Sequence, residues 1–256
     1  MNRLTLSIGK WLATYLTKEV RVGSTAPPSN PLHLQEALRP GDVLLVEGRT
    51  RISSAIKYLT QSTWSHAALY VGPDCFGDRA PGDHCLIEAD TIRGVCSSSL
   101  ERFAHLHTRI CRPIGLSQAE CDQVIQYALS QLGHQYDLRN VWDLARYLFP
   151  TPPIPTRYRR KMLALGSGDP TRAICSTLIA QAFETIRYPI IAREANDSSY
   201  TLQSSFKPAN FEPKHFSLLT PRDFDVSPYF AIIKPTLEGG FNFHDLEWTP
   251  QAIKNF

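Results

Sequence analysis

An α+β fold is what this 256-residue chain predicts, on three observations. Short runs such as DVLLVEG and SHAALYVG have the length, apolar content and turn-forming borders of strands. Two longer stretches carry apolar residues at helical spacing behind clear start signals. Strands and helices alternate along one chain, with neither an internal repeat nor a low-complexity block. At this length one well-filled core is expected, with room for a small appendage.

The amino-terminal segment, residues 1–22, places Leu4, Ile8, Trp11, Leu12, Tyr15 and Leu16 on one helical stripe, with Arg3, Lys10, Lys18 and Arg21 around it. Such a helix either docks on the core of the protein or lies in a membrane interface. Lys10 interrupts the apolar stretch and no A-x-A site follows, so the segment does not read as a secretion signal. It is also too short and too polar to span a bilayer. The expected location is therefore cytoplasmic, with peripheral membrane contact through residues 1–21 as an option.

Residues 23–36 read as a linker, and the main domain is expected over 37–237. Within it, Pro40-Gly41 turns into a strand at DVLLVEG, and RISSAIKYLTQ has Ile52, Ile56 and Leu59 at helical spacing. His66 to Val71 is the next strand, stopped by Gly72-Pro73. A polar loop then leads to HCLIEAD, a third strand around Leu86 to Ala89, and TRICRPIG suits another. Ser117 with Glu120 forms a capping box before Val124, Ile125, Ala128, Leu129 and Leu132, and Gly133 ends that helix. A Pro-rich insertion follows at about 149–168. Asp169-Pro170-Thr171 opens a second helix with Ile174, Leu178, Ile179, Ala182, Phe183 and Ile186 on one face. Residues 193–215 look polar and irregular, Tyr229 to Lys234 reads as a last strand, and 238–256 is a tail.

A formal net charge of +3 gives no sign of a nucleic-acid footprint, and no nucleic-acid partner is expected. The one basic run, Arg157 to Lys161, is either a solvated helix face or a contact for phosphate groups. Six cysteines form no CxxC pair, so no structural zinc is expected, and no other metal or organic cofactor is signalled. Cys75 and Cys85 bracket CFGDRAPGDHC; they either close a disulfide loop in an oxidising compartment or stay free.

Chemistry is suggested by polar residues standing where the pattern asks for packing. His66 heads an apolar strand, and small Ala68, two residues on, leaves room beside its ring. Glu88 lies inside another apolar strand, where an unpaired carboxylate is expensive to bury. It either points to solvent from an edge or pairs with His66 across a hairpin, fixing the tautomer and supporting the imidazolium. Cys175 occupies the first turn of the second helix, where unpaired backbone N–H groups and the helix dipole favour a thiolate. A cysteine nucleophile with a histidine to move its proton is a complete scheme for acyl transfer. Tyr136, in GHQYD, is either a half-buried packing residue or a donor to a developing oxyanion beside the backbone N–H of Cys175.

The succession GDVLLVEG, SHAALYVG, LIEAD, GHQYD and CSTLIAQAF resembles the permuted papain-like branch of the NlpC superfamily, in particular its YiiX-type cysteine hydrolases. The resemblance runs from about Asp42 to about Lys234, since TPRDFDVSPYF looks like the closing segment of that family. It implies a mostly antiparallel sheet or small barrel packed against the helix that carries the nucleophile. It also implies Cys175 as nucleophile, His66 as base, Glu88 as the residue orienting His66, and Tyr136 near the thiolate or oxyanion. The Pro-rich stretch and CFGDRAPGDHC both depart from the minimal pattern, so the shape of the cleft does not carry over.

The leading expectation is a thiol hydrolase that cleaves an amide, peptide or other acyl bond through an acyl-enzyme, with a peptide or peptidoglycan-type substrate. A membrane-associated lipid acyl hydrolase, acyltransferase or thioesterase is the alternative, since the related lecithin:retinol acyltransferase group uses a similar histidine strand and later cysteine. A non-catalytic binding module is the reading from another class, and the retained Cys175, His66 and Glu88 argue against it.

Overall fold

Strand β1 (Val43–Val46) is buried on both faces, and its four apolar residues make it the axis of the fold. It pairs antiparallel with β2 (His66–Tyr70) on one side and with β5 (Thr108–Pro113) on the other. β3 (His84–Asp90) and β4 (Gly94–Ser99) extend the sheet beyond β2, and β8 (Phe230–Ile233) extends it beyond β5. The result is a six-stranded antiparallel sheet in the order β4-β3-β2-β1-β5-β8. The chain is seen as a computed structural model that describes residues 18–19, 28–77, 81, 83–90, 93–134, 174–194 and 211–245. Of the expected amino-terminal segment only Lys18 and Glu19 fall within these residues. Tyr136, Arg157 to Lys161 and the Pro-rich stretch lie outside them.

Helix α1 (Pro31–Ala37) occupies part of what the sequence presents as a linker, and this is a correction. The Asn30 side chain accepts from the backbone N–H of Leu32, and Pro31 supplies the fixed φ of a first helical residue. Leu34 and Ala37 are then buried against Leu44, Ala68 and Ile110 on one face of the sheet. The opposite face carries Val43, Leu45, Ala67, Leu69 and Ile87, and α3 (Gln118–Ser130) and α4 (Ile174–Glu184) cover it. The capping box of α3 is formed as the sequence predicts, Ser117 accepting from the backbone of Glu120 and Glu120 from that of Ser117. Helix α2 (Arg51–Thr60) joins β1 to β2.

Residues 193–215 also differ from expectation: β6 (Ala192–Glu194) and β7 (Phe211–Pro213) pair in a separate two-stranded ladder. Three-residue strands carry too little periodicity to be read from sequence. Beyond them lie α5 (Pro221–Asp225), β8 and α6 (Pro235–Glu238). Cys75 and Cys85 are free thiols, and Cys75 Sγ donates to the Val71 carbonyl at 2.9 Å.

The end of α4 is fastened to the sheet by one phenol. Tyr188 Oη accepts from the Ile114 backbone N–H at 2.8 Å and lies 2.5 Å from the Tyr229 carbonyl, to which it donates. Its ring packs with Phe183 and Phe230. Tyr188→Phe keeps this packing and removes the phenol's bonds, while the Ile114 N–H still donates to the Tyr229 carbonyl at 3.0 Å. A loss of about 0.5–1.5 kcal/mol is expected, read as a lower denaturant midpoint with unchanged slope.

Candidate active site

The site lies at one end of β2. Strand alternation puts His66, Ala68 and Tyr70 on one face and Ala67, Leu69 and Val71 on the other. Ala68 pairs with Glu88 on β3, so the Glu88 carboxylate shares the face of His66, one diagonal step away. Cys175 comes from α4, which packs on the other face. His66 is the first residue of β2, where the ladder ends, and its ring is reached from both layers.

His66 Nε2 donates to Glu88 Oε2 at 2.6 Å, a short charge-assisted bond. With Nε2 committed, Nδ1 is the ring nitrogen left for the sulfur of Cys175, whose charge acts on the imidazole. Burial works against the charged ring. The charge of the Cys175 sulfur, and after it the bond to and charge of Glu88, outweigh it. His66 is accordingly held well above its ordinary value of 6.5. The ring keeps 23% of its side-chain surface exposed, whereas the Glu88 side chain has none.

Glu88 therefore belongs to neither an edge nor a solvated position: β3 is an interior strand, and the carboxylate is enclosed by cations. Arg93 Nη2 donates to its Oε1 at 3.0 Å, and Arg102 Nη1 lies 3.3 Å from the same oxygen. Arg102 also bonds Asp90 Oδ2 at 2.9 Å, and Arg93 uses its backbone N–H on Asp90 Oδ1 at 3.0 Å. Phe103 lies against the imidazole, with ring centroids 6.0 Å apart, and the Arg102 guanidinium sits above the same phenyl ring. Sequence reasoning missed both arginines. Arg93 is in a turn and Arg102 in a short 3₁₀ segment, Leu100–Phe103, where no periodicity marks a side chain as inward.

Gly48 shows how closely the neighbouring backbone is packed. Its N–H donates to Ser65 Oγ at 2.9 Å, and a Cβ there would collide with the hydroxyls of Ser53 and Ser65. Ser65, the residue before His66, is thus held by the segment that follows β1, and its own N–H donates to the Val46 carbonyl of β1 at 3.1 Å. On the other side, Ser176 Oγ donates to the Leu219 carbonyl at 2.7 Å and ties the turn of Cys175 to the segment before α5.

Cys175 is 5% exposed and sits in the first turn of α4 as described. The remaining thiols are all pushed up by burial: Cys75, Cys85, Cys111 and Cys121, and Cys96 to about 11, with the Glu88 charge as its second cause. Among the described residues no three His, Cys, Asp or Glu side chains come together as a metal site. No helix among them is long and apolar enough to cross a membrane.

Residues 37–149 match the family described as permuted papain-like amidase enzyme, YaeF/YiiX, C92 family. That stretch takes in His66 and Glu88 and ends before Cys175. Among solved structures, that of metalloprotein yiiX from Escherichia coli O157:H7 is similar at 17% identity and a TM-score of 0.45, covering 77% of this chain and 97% of its own. No curated protein matches. Over residues 37–149, which carry β1 to β5 and α3, the chain is therefore similar to the permuted papain-like amidases of the YaeF/YiiX type, a family of cysteine hydrolases.

Proposed function

We propose that the chain cleaves an amide bond of a peptide, cell-wall stem peptides included, with Cys175 as nucleophile, His66 as the proton carrier and Glu88 as the residue that positions His66. One observation supports the reading: a single imidazole is held through Nε2 by a buried carboxylate, and the charge of the Cys175 sulfur acts on the same ring.

The thiolate adds to the carbonyl carbon, and negative charge passes to the oxygen. The backbone N–H of Cys175, in the first turn of its helix, is one donor for that oxygen; Tyr136 is the second donor in this reading. Collapse breaks the C–N bond as His66 gives its proton to the leaving nitrogen, and a thioester remains on Cys175. His66 then takes a proton from water, the resulting hydroxide adds to the thioester, and the acid departs with regeneration of the thiolate. Glu88 gains nothing by being protonated in this cycle. It holds the tautomer and balances the imidazolium, as the two arginines hold it.

Alkylation tests the nucleophile. At pH 6, limiting iodoacetamide followed by peptide mapping is expected to modify Cys175 at least about tenfold ahead of the other thiols, because only a thiolate reacts and burial suppresses theirs. Uniform labelling, or Cys75 ahead of Cys175, contradicts the proposal.

A further inference from the structure

A cleft of about 460 Å³ opens at the same end of the sheet as His66 and is used by none of the steps above. Its size is that of a small-ligand site. Trp64 forms a platform: the indole is 2% exposed, stacked on His107 at 5.1 Å between ring centroids, and covered by the Arg109 guanidinium at 4.9 Å. Arg109 Nη1 donates to Asp225 Oδ1 at 2.5 Å, which fixes its plane. Arg222 donates to the Thr60 carbonyl at 3.0 Å and, among the described residues, meets no carboxylate. The loop 61–63 supplies the remaining polar wall.

Both walls are continuous with the reacting residues. Trp64 is two residues before His66. Arg222 and Asp225 follow Leu219, whose carbonyl accepts from Ser176, the neighbour of Cys175. The cleft is thus joined to the histidine by two residues of chain and to the cysteine through the Ser176–Leu219 bond.

We infer that this cleft is a substrate subsite for the carboxylate of a peptide, with Arg222 as its principal anion-binding residue and Arg109, set over Trp64, as the second donor. The inference rests on the peptide-amidase reading of the adjacent site. Arg109 and Arg222 against Asp225 leave one positive charge in excess, which matches a single carboxylate and not a phosphate dianion. A guanidinium fork with unused donors binds a carboxylate in two parallel hydrogen bonds, and the buried indole supports the Arg109 guanidinium from behind.

The test uses binding, so that it does not depend on turnover. N-acetyl-trialanine as the free acid and as the carboxamide are titrated calorimetrically into the full chain carrying Cys175→Ala, and into the same chain with Arg222→Gln or Arg222→Lys added. The free acid is expected to bind about tenfold more tightly than the amide, as one charge-assisted bond gives. Arg222→Gln removes that preference without changing the affinity of the amide, and Arg222→Lys keeps part of it. Equal affinities, binding of neither peptide, or a preference that survives Arg222→Gln overturns the inference. Displacement of the acid by an equal concentration of glycerol phosphate also overturns it, in favour of a lipid-headgroup site. Failure of the amidase reading shows separately, as absent selective alkylation of Cys175 in the unsubstituted chain.

Discussion

Replacing Cys175 with alanine is expected to lower kcat on any amide the chain turns over by at least ~10³, with the fold retained. The side chain is small and sits among Ala67-side packing residues, so losing the sulfur leaves a minor void costing on the order of 1 kcal/mol. The activity loss has a different origin. Without the sulfur no covalent intermediate forms, and His66 and Glu88 have nothing to activate. The expected signature is a fall in kcat with little change in KM, because the sulfur acts on the transition state and contributes little to holding substrate. The measurement is steady-state hydrolysis of a chromogenic peptide amide by both chains, beside their thermal melts. Wild-type-like turnover by the alanine chain would remove Cys175 from the mechanism.

Glu88→Gln has the second largest effect, and it divides into three readouts. Nε2 of His66 loses a charged acceptor, and an amide either offers its N–H₂ to the imidazole or turns that group toward Arg93 and Arg102. The tautomer is no longer fixed, and kcat/KM is expected to fall about 10²–10⁴-fold. Stability falls by about 1–3 kcal/mol, since buried partners lose their bond, discounted because both arginines are nearly half exposed and regain water.

The pH dependence has a definite sign. The folded-state value of His66 is raised above 6.5, so the stabilisation drawn from its charged form is complete below the ordinary value and is lost as pH rises through the raised one. Glu88 is among the groups that raise it. In Glu88→Gln the loss is therefore smaller and complete at a lower pH, and the alkaline limb of activity moves the same way. Denaturant midpoints and kcat/KM collected from pH 6 to 9 check both; an unshifted or upward-shifted limb would count against the role given to Glu88.

How much of this site the sequence reveals depends on whether a residue interrupts a periodic element. His66 and Glu88 stand out because each is polar inside a run of apolar residues, and the hairpin then makes each the explanation of the other. Cys175 stands out by its place in the first turn of an apolar-faced helix. Arg93, Arg102, Arg222 and Asp225 do not stand out, since charged residues in turns and one-turn helices are what any surface offers. Their roles depend on the β3–β4 register and on where α5 docks, which are long-range facts. Sequence shows Trp64 as one more apolar residue before a strand; only the fold reveals that His107 and Arg109 stack on it. Pro31–Ala37 reads as a linker because a single helical turn or two has no periodicity to detect, although Asn30-Pro31 carries the cap signal in plain view.

The central claim is that the imidazole at 66 controls the sulfur at 175, and the direct measurement is the rate of Cys175 alkylation against pH in the unsubstituted chain and in His66→Ala. With His66 present the rate is expected to stay high down to pH 6. Without it the sulfur behaves as an isolated buried thiol, and the rate at pH 6 falls at least about tenfold. Superimposable pH profiles in the two chains would contradict the account.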